Sequence, residues 1–288
     1  SVSFNANSGE GSMDDQSFTY DETKNLTVNA FTKTGYKFLG WSLNQNATEA
    51  EYPDGQEVRN FTSEDESIVT LYAVWQINQY TITFNSNDGS AVNPITANYN
   101  ASVTLPTPTK EGHAFAGWYS DEKLTAEYNF TTMPAEDITL YAKWTVNSYN
   151  VTFHHNNGTD DTTELIAFNT LITEPTNVSK LGYNLEGWYS DSNFNTKWNF
   201  ASDKMPAQNI DLYAKWTKNS YSIKYYDGSS EIANLTPTSY DIDSGEITLQ
   251  AATKTGYTFA GWYSDAGLSG NAVTSIPAQS TGDKVFYA

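Results

Sequence analysis

The dipeptide Gly-Trp occurs four times, at Gly40-Trp41, Gly117-Trp118, Gly187-Trp188 and Gly261-Trp262, at intervals of 77, 70 and 74 residues. A second marker follows each copy: Leu71-Tyr72-Ala73-Val74-Trp75, Leu140-Tyr141-Ala142-Lys143-Trp144, Leu212-Tyr213-Ala214-Lys215-Trp216 and the shorter Phe286-Tyr287-Ala288. A third opens each unit, as Val2-Ser3-Phe4-Asn5, Ile82-Thr83-Phe84-Asn85, Val151-Thr152-Phe153-His154 and the looser Ile223-Lys224-Tyr225-Tyr226. Three markers in fixed order restrict the chain to one small unit used four times. The unit boundaries read as 1–77, 78–147, 148–219 and 220–288, with the fourth cut short at its C-terminal end and the whole read as a monomeric fragment of a longer protein. The seams Gln76–Gln79, Thr145–Ser148 and Thr217–Ser220 are neither Gly/Ser coils nor Pro-rich spacers. Connectors this short restrict the angle between neighbours and predict a semi-rigid string of units.

Within the second unit, Tyr80, Ile82 and Phe84 alternate with threonines, the pattern of a half-buried strand. Asn87-Asp88-Gly89 supplies a turn. Ala101–Leu105 reads as a second strand stopped by Pro106 and Pro108. His113–Tyr119 carries apolar groups on both faces and reads as a central strand, with Gly117 open to the approach of a flat ring. Met133–Asp137 reads as a single helical turn with proline early in it. The last strand, Ile138–Trp144, places Ile138, Leu140, Ala142 and Trp144 on one face and Thr139, Tyr141 and Lys143 on the other. A domain this small buries only about 60% of its unfolded surface. With no cysteine to staple it, the aromatic residues, 15% of the chain, must supply the core.

Composition excludes several functions. A net charge of −19 repels nucleic acid and anionic membrane surfaces alike. No apolar run approaches the roughly 18–20 residues of a membrane span, so no direct membrane insertion is expected, and no signal peptide is evident.

Candidate chemistry is sparse. The carboxylates Asp14-Asp15, Asp121-Glu122, Asp160-Asp161 and Asp203 lie in turn-like stretches, whereas glycoside hydrolysis needs two carboxyls held across a cleft. Asp241-Ile242-Asp243 with Glu246 is the nearest approach to a calcium loop, which needs six to eight oxygens. His154 and His155 are adjacent on a strand, so their rings point to opposite faces and do not chelate one ion. Three histidines and no cysteine leave little for a nucleophilic triad. The chain therefore reads as a non-enzyme with no cofactor, no metal and no catalytic residue. The candidate ligand or interface residues are aromatic: Tyr119, Tyr189 and Tyr263, opposite each core tryptophan, and Tyr72, Tyr141 and Tyr213 on the outer face of the closing strands. Tyrosines so placed either specify the fold or stack on sugars and protein partners.

The run Gly-Tyr-x-Phe-x-Gly-Trp, at Gly35–Trp41 and Gly256–Trp262, followed about 30 residues later by Leu-Tyr-Ala-x-Trp, resembles the Listeria–Bacteroides repeat, or internalin B-repeat, family. Met133-Pro134-Ala135 and Met205-Pro206-Ala207 fit as well. Departures are His113 in place of Tyr, Leu185 in place of Phe, an insertion near Asn44–Glu51, and a degenerate opening in unit four. The resemblance implies a mostly β, small α+β fold: four tandem β-grasp-like repeats in an extended array. It also implies a bacterial cell-surface or secreted, extracellular setting and a non-catalytic role. Two roles are then open. One is a semi-rigid spacer that presents another module. The other is a multivalent adhesin segment binding cell-wall or host glycans or proteins, where linked weak sites gain by effective concentration.

Overall fold

The structure is a computed structural model that describes residues 1–288. It is built of strands, with no helix. The first repeat contributes β1 (Val2–Asn5), β2 (Lys24–Asn25), β3 (Tyr36–Ser42), β4 (Glu57–Val58) and β5 (Val69–Ile77). The second contributes β6 (Gln79–Asn85), β7 (Ile95–Asn98), β8 (His113–Tyr119) and β9 (Ile138–Val146). The third contributes β10 (Ser148–His154), β11 (Thr162–Ala167), β12 (Tyr183–Tyr189) and β13 (Ile210–Lys218). The fourth contributes β14 (Tyr221–Asp227), β15 (Ser230–Glu231), β16 (Ser239–Tyr240), β17 (Ile247–Thr248), β18 (Ser275–Ile276) and β19 (Lys284–Tyr287). Residues Ser1–Thr145 form one compact unit and Val146–Ala288 another, with two repeats in each.

In every repeat the opening strand pairs in parallel with the closing strand. Phe4 lies beside Leu71, Phe84 beside Leu140, Phe153 beside Leu212 and Tyr225 beside Phe286. A parallel pair needs a long crossover, and the Gly-Trp segment lies within it. Its strand pairs antiparallel with the far side of the closing strand, giving the orders β1-β5-β3, β7-β6-β9-β8 and β11-β10-β13-β12. The closing strand is therefore interior and the Gly-Trp strand lies at the edge, not at the centre as its two apolar faces imply. The second strand of repeat two also differs from expectation. It is β7, a hairpin partner of β6, whereas Ala101–Leu105 makes only a bridge from Ser102 to Thr132. Met133–Asp137 forms a bend rather than a helical turn, with Met133 fully buried and its N–H donated to Ala101.

The edge strand carries a bulge at the glycine. Register shifts between Phe38 and Gly40 in β3 and between Leu185 and Gly187 in β12. In an unbroken strand Phe38 and Trp41, three residues apart, would face opposite sides. The extra residue of the bulge returns both to one face, and their rings meet at 5.0 Å. Phe115 and Trp118 meet at 5.4 Å, and Phe259 and Trp262 at 5.3 Å. Glycine is required because φ is +142° at Gly40, +111° at Gly117 and +146° at Gly187. No flat ring is the near neighbour of Gly40 or Gly187, and at Gly117 only the edge of the Tyr119 ring comes within 4 Å. A Cβ on Gly40 would press on the Tyr52 carbonyl, and one on Gly187 on Lys197, so the returning segment is what approaches. Gly117 has more room, with the Glu127 carboxyl as its nearest neighbour.

Each repeat closes its own core around its tryptophan: Trp41 with Phe4 and Phe31, Trp118 with Ile82 and Met133, Trp188 with Phe153 and Met205, and Trp262 with Tyr225 and Ile276. The closing-strand tryptophans seal one end. The indole N–H groups of Trp75, Trp144 and Trp216 donate to the carbonyls of Ala6, Ser86 and His155 at 2.8–2.9 Å. Asn7, Asn87 and Asn156, all at positive φ, donate from Nδ2 to the carbonyls of Ala73, Ala142 and Ala214. Asparagine tolerates that backbone and its amide reaches the closing strand, which explains its place in the opening turn.

Replacing fully buried Trp188 with Ala is expected to cost about 3–5 kcal/mol, enough to melt repeat three ahead of the others. Denaturant unfolding followed by tryptophan fluorescence should show a new early transition; a single shared transition shifted by under about 1 kcal/mol would contradict a separate core in each repeat.

Candidate functional site

The candidate tyrosines lie together on the outer face of the sheet. Tyr189 of β12 pairs directly with Tyr213 of β13, and Tyr263 bridges to Tyr287. In repeat one the partner of Tyr72 is Ser42. Tyr72, Tyr141 and Tyr213 are half-buried and Tyr263 is intermediate, but Tyr119 and Tyr189 are only 9% and 6% exposed. The open outer face expected at Tyr119 and Tyr189 is thus covered. Lysines do the covering: Lys143 Nζ sits 4.7 Å from the Tyr119 ring and Lys215 Nζ 5.2 Å from the Tyr189 ring, close enough for cation–π attraction.

Repeat three carries the densest polar network. Glu186 accepts from Lys215 Nζ at 2.9 Å, from the Tyr189 hydroxyl at 2.8 Å and from Thr217 at 3.3 Å. The Lys215 bond, then the Tyr189 bond, hold the Glu186 carboxyl below its ordinary range. The same contact raises the Tyr189 hydroxyl, so it is neutral and acts as a donor. On the next strand His154 stacks on Tyr213 with ring centroids 4.4 Å apart. Its Nδ1 lies 2.6 Å from Asp161 and its Nε2 3.0 Å from Asp211. Burial pulls the imidazole down, but the bonds to Asp211 and then Asp161 outweigh it, and the net shift is upward. His155 faces the other way, edge-on to Trp188 at 5.9 Å, so the two rings share no ion.

Of the other acidic candidates, Asp121, Asp203, Asp241, Asp243 and Glu246 have structural partners. Asp121, Asp191 and Asp265 follow the Trp-Tyr-Ser run and close the loop behind it. Asp121 accepts from the N–H groups of Thr125 and Ala126, Asp191 from Asn195 and Thr196, and Asp265 from Gly267 and Ser269. The bonds from Ala126, Thr196 and Ser269 lead in holding these carboxyls low. This recurrence is visible in the sequence as Tyr-Ser-Asp, yet it reads there only as a polar turn. Asp203 accepts from the Asn199 N–H. Asp241 and Asp243 both hold Lys218, each at 3.0 Å, and Glu246 accepts from Ser275, so the calcium-like acids serve an ion pair and a hydrogen bond. No group of three His, Cys, Asp or Glu side chains converges as a metal site. No helix is long and apolar enough to cross a membrane.

An apolar groove of about 420 Å³ opens in repeat four beside Tyr257, Phe259, Tyr263 and Leu268. In repeats one and two the matching Phe38 and Phe115 are covered by Trp75 and Trp144, at 5.4 and 5.5 Å. The groove therefore corresponds to the place of the closing tryptophan.

Fold and site define a tandem array of one β-rich module. The Listeria-Bacteroides repeat domain matches at residues 1–74, 80–143, 149–215 and 221–288. The chain belongs to that family. It is 39% identical over 248 residues to a protein of Evansella cellulosilytica named "Putative membrane protein", covering 83% of this chain and 36% of that one. A second protein of that organism, "Putative Gly-rich membrane protein", is 37% identical over 81% of this chain and 26% of its own length. Internalin H of Listeria monocytogenes is 40% identical over 186 residues, 63% of this chain and 33% of that protein. The chain thus spans about a third or less of these relatives.

Two opposed pH effects follow. The folded His154 pKa is raised, so its contribution to stability is full below the unfolded value near 6.5. It fades as pH rises through the folded value. The folded Asp121, Asp191 and Asp265 values are depressed, so their contribution is present above about 3.9 and is lost as pH falls through the folded value. Melting temperature should therefore be highest between those limits. In ¹⁵N-edited imidazole spectra His154 should titrate above 6.5, and both Asp161→Asn and Asp211→Asn should lower its midpoint. A midpoint unmoved by either substitution would contradict the carboxylate clamp.

Proposed function

We infer that the chain is a non-catalytic repeat segment of a bacterial surface protein, acting as a semi-rigid spacer that presents another module away from the cell. The observation that carries this reading is the use made of the repeated aromatic face. Tyr119 and Tyr189 are buried under lysines, and the remaining candidates are half-buried in cross-strand pairs. What recurs from repeat to repeat is thus spent on folding. Kinship with Internalin H and with two proteins named for membranes supports an extracellular, surface-attached setting. The acidic surface, net −19, favours solubility and resists self-association.

The second reading is a multivalent adhesin that engages cell-wall or host glycans or proteins. Tyr72, Tyr141 and Tyr213 retain partly accessible rings at one position of successive repeats, which favours it.

Small-angle scattering tests the first reading. Four units, each about 28 Å across by chain-length scaling, span on the order of 110 Å in line. A maximum dimension near that value is expected, and a compact globule would refute the spacer. The second reading is tested by binding of the labelled chain to a glycan array and to intact host cells. No saturable binding at high micromolar concentration is expected of a spacer. Saturable binding weakened by Tyr141→Ala and Tyr213→Ala would establish the adhesin instead.

A further inference from the structure

The Gly-Tyr that begins the repeat motif has no place in the core. Lys33-Thr34-Gly35-Tyr36 is a four-residue turn in which the Tyr36 N–H donates to the Lys33 carbonyl at 3.0 Å. Lys180–Tyr183 and Lys254–Tyr257 repeat it at 3.0 and 3.1 Å. Glycine stands third in each, with φ of +76°, +77° and +81°. Positive φ at that place is what a type II turn demands. In each turn the lysine returns over the tyrosine ring, at 4.3, 4.6 and 4.6 Å.

Two of these turns touch the following repeat in the same compact unit. In the first unit the Gly35 carbonyl accepts from the N–H of Asn78, the seam residue, at 2.9 Å. Tyr99 of repeat two lies over Gly35, where an added Cβ would clash with its ring, and packs edge-on to Tyr36 at 6.3 Å. In the second unit the Gly182 carbonyl accepts from Asn219 N–H, also at 2.9 Å. Ile242 of repeat four lies over Gly182, 2.6 Å from an added Cβ. The two acids flanking Ile242 hold Lys218 of repeat three, and Asp243 also accepts from the Tyr183 hydroxyl at 3.5 Å. Gly35 and Gly182 are buried by these contacts. Gly256 has the same turn and the same backbone angle with no atom within 4 Å, and Tyr257 is 73% exposed.

We propose that the Gly-Tyr turn is an inter-repeat socket, in which the missing Cβ admits one apolar knob of the following repeat, Tyr99 or Ile242, and so fixes the angle between neighbours. The partner this surface fits is another repeat of the same family. The backbone bond from the seam asparagine ties the turn to the seam, and the knob packed on the same glycine restricts rotation about that bond. Two different side chains fill the socket, so shape is what it selects. The inference rests on the spacer reading only for its use, since a spacer needs stiff joints; the joint itself stands on the contacts.

The chain has no cysteine, so spin labels can be placed by substitution alone. Glu49→Cys with Glu136→Cys reports across the first joint, and Ser192→Cys with Asn271→Cys across the second. Double electron–electron resonance on the full chain should give a narrow distance distribution for each pair. Gly35→Ala should broaden the first at least about twofold and leave the second unchanged, and Gly182→Ala the reverse. Gly256→Ala carries the same backbone cost without a neighbour and should broaden neither. Tyr99→Ala, which leaves the turn intact, should broaden the first as Gly35→Ala does. Broad distributions in the parent chain, or no response to Gly35→Ala and Tyr99→Ala, would overturn the socket. Broadening by Gly256→Ala equal to the others would do so too, since it would trace the effect to turn strain. Saturable glycan binding by a chain with narrow distributions would overturn the spacer reading and leave the socket standing.

Discussion

The structure depends on a bulge one residue long. A small β module without disulfides or helices has few ways to close a core, and here it does so by putting a phenylalanine or leucine and a tryptophan, three positions apart, on one side of an edge strand. Strand geometry forbids that spacing unless one residue is taken out of register. Glycine takes it out, at a φ that residues with a side chain rarely adopt. Once Trp41 or Trp188 is turned inward, the opening and closing strands have a surface to pack against, and the parallel pair between them becomes worth the long crossover that joins it. The returning segment then crosses the glycine closely at Gly40 and Gly187.

With so little area to bury, the module satisfies its backbone with side chains fixed in place. An asparagine amide, a tryptophan N–H and an aspartate carboxylate each close a turn at corresponding sites in three of the repeats. Leaving a buried backbone group unpaired costs more than its hydrogen bond nets when made. This accounts for a chain that is rich in Asn, Thr and Asp. The polar residues are occupied by turns and by pairs such as Asp161–His154–Asp211.

Much of this was legible in the residues. Order and spacing of the markers fixed four copies, and alternation found the opening and closing strands with their inner and outer faces. What alternation misses is any event that changes the period. It read the Gly-Trp strand as central because both faces are apolar, whereas the bulge supplies one face and lysine cover supplies the other. It read Tyr119 and Tyr189 as open outer residues because it cannot see Lys143 and Lys215 fold back over them from the neighbouring strand. Met133-Pro134-Ala135 reads as helix by composition, but Met133 is drawn into the core and its N–H is paired with Ala101. Asp241 and Asp243 have no assigned partner in the sequence, because Lys218, which they hold, belongs to a different repeat.

That last case marks a general property of arrays. In a single domain a glycine, a lysine or an acid pair is explained by its own fold, and a residue with no role there invites a functional story. In a tandem chain a third explanation exists, because each repeat is also its neighbour's environment. Gly35 and Gly256 sit in the same turn at nearly the same backbone angle, but one is buried under a tyrosine from the next repeat and the other faces open space. Local sequence does not distinguish them; the presence of a neighbouring side chain does. A motif repeated four times therefore encodes two things at once, the closure of a unit and the means of attaching the next, and the second is read only where two copies meet.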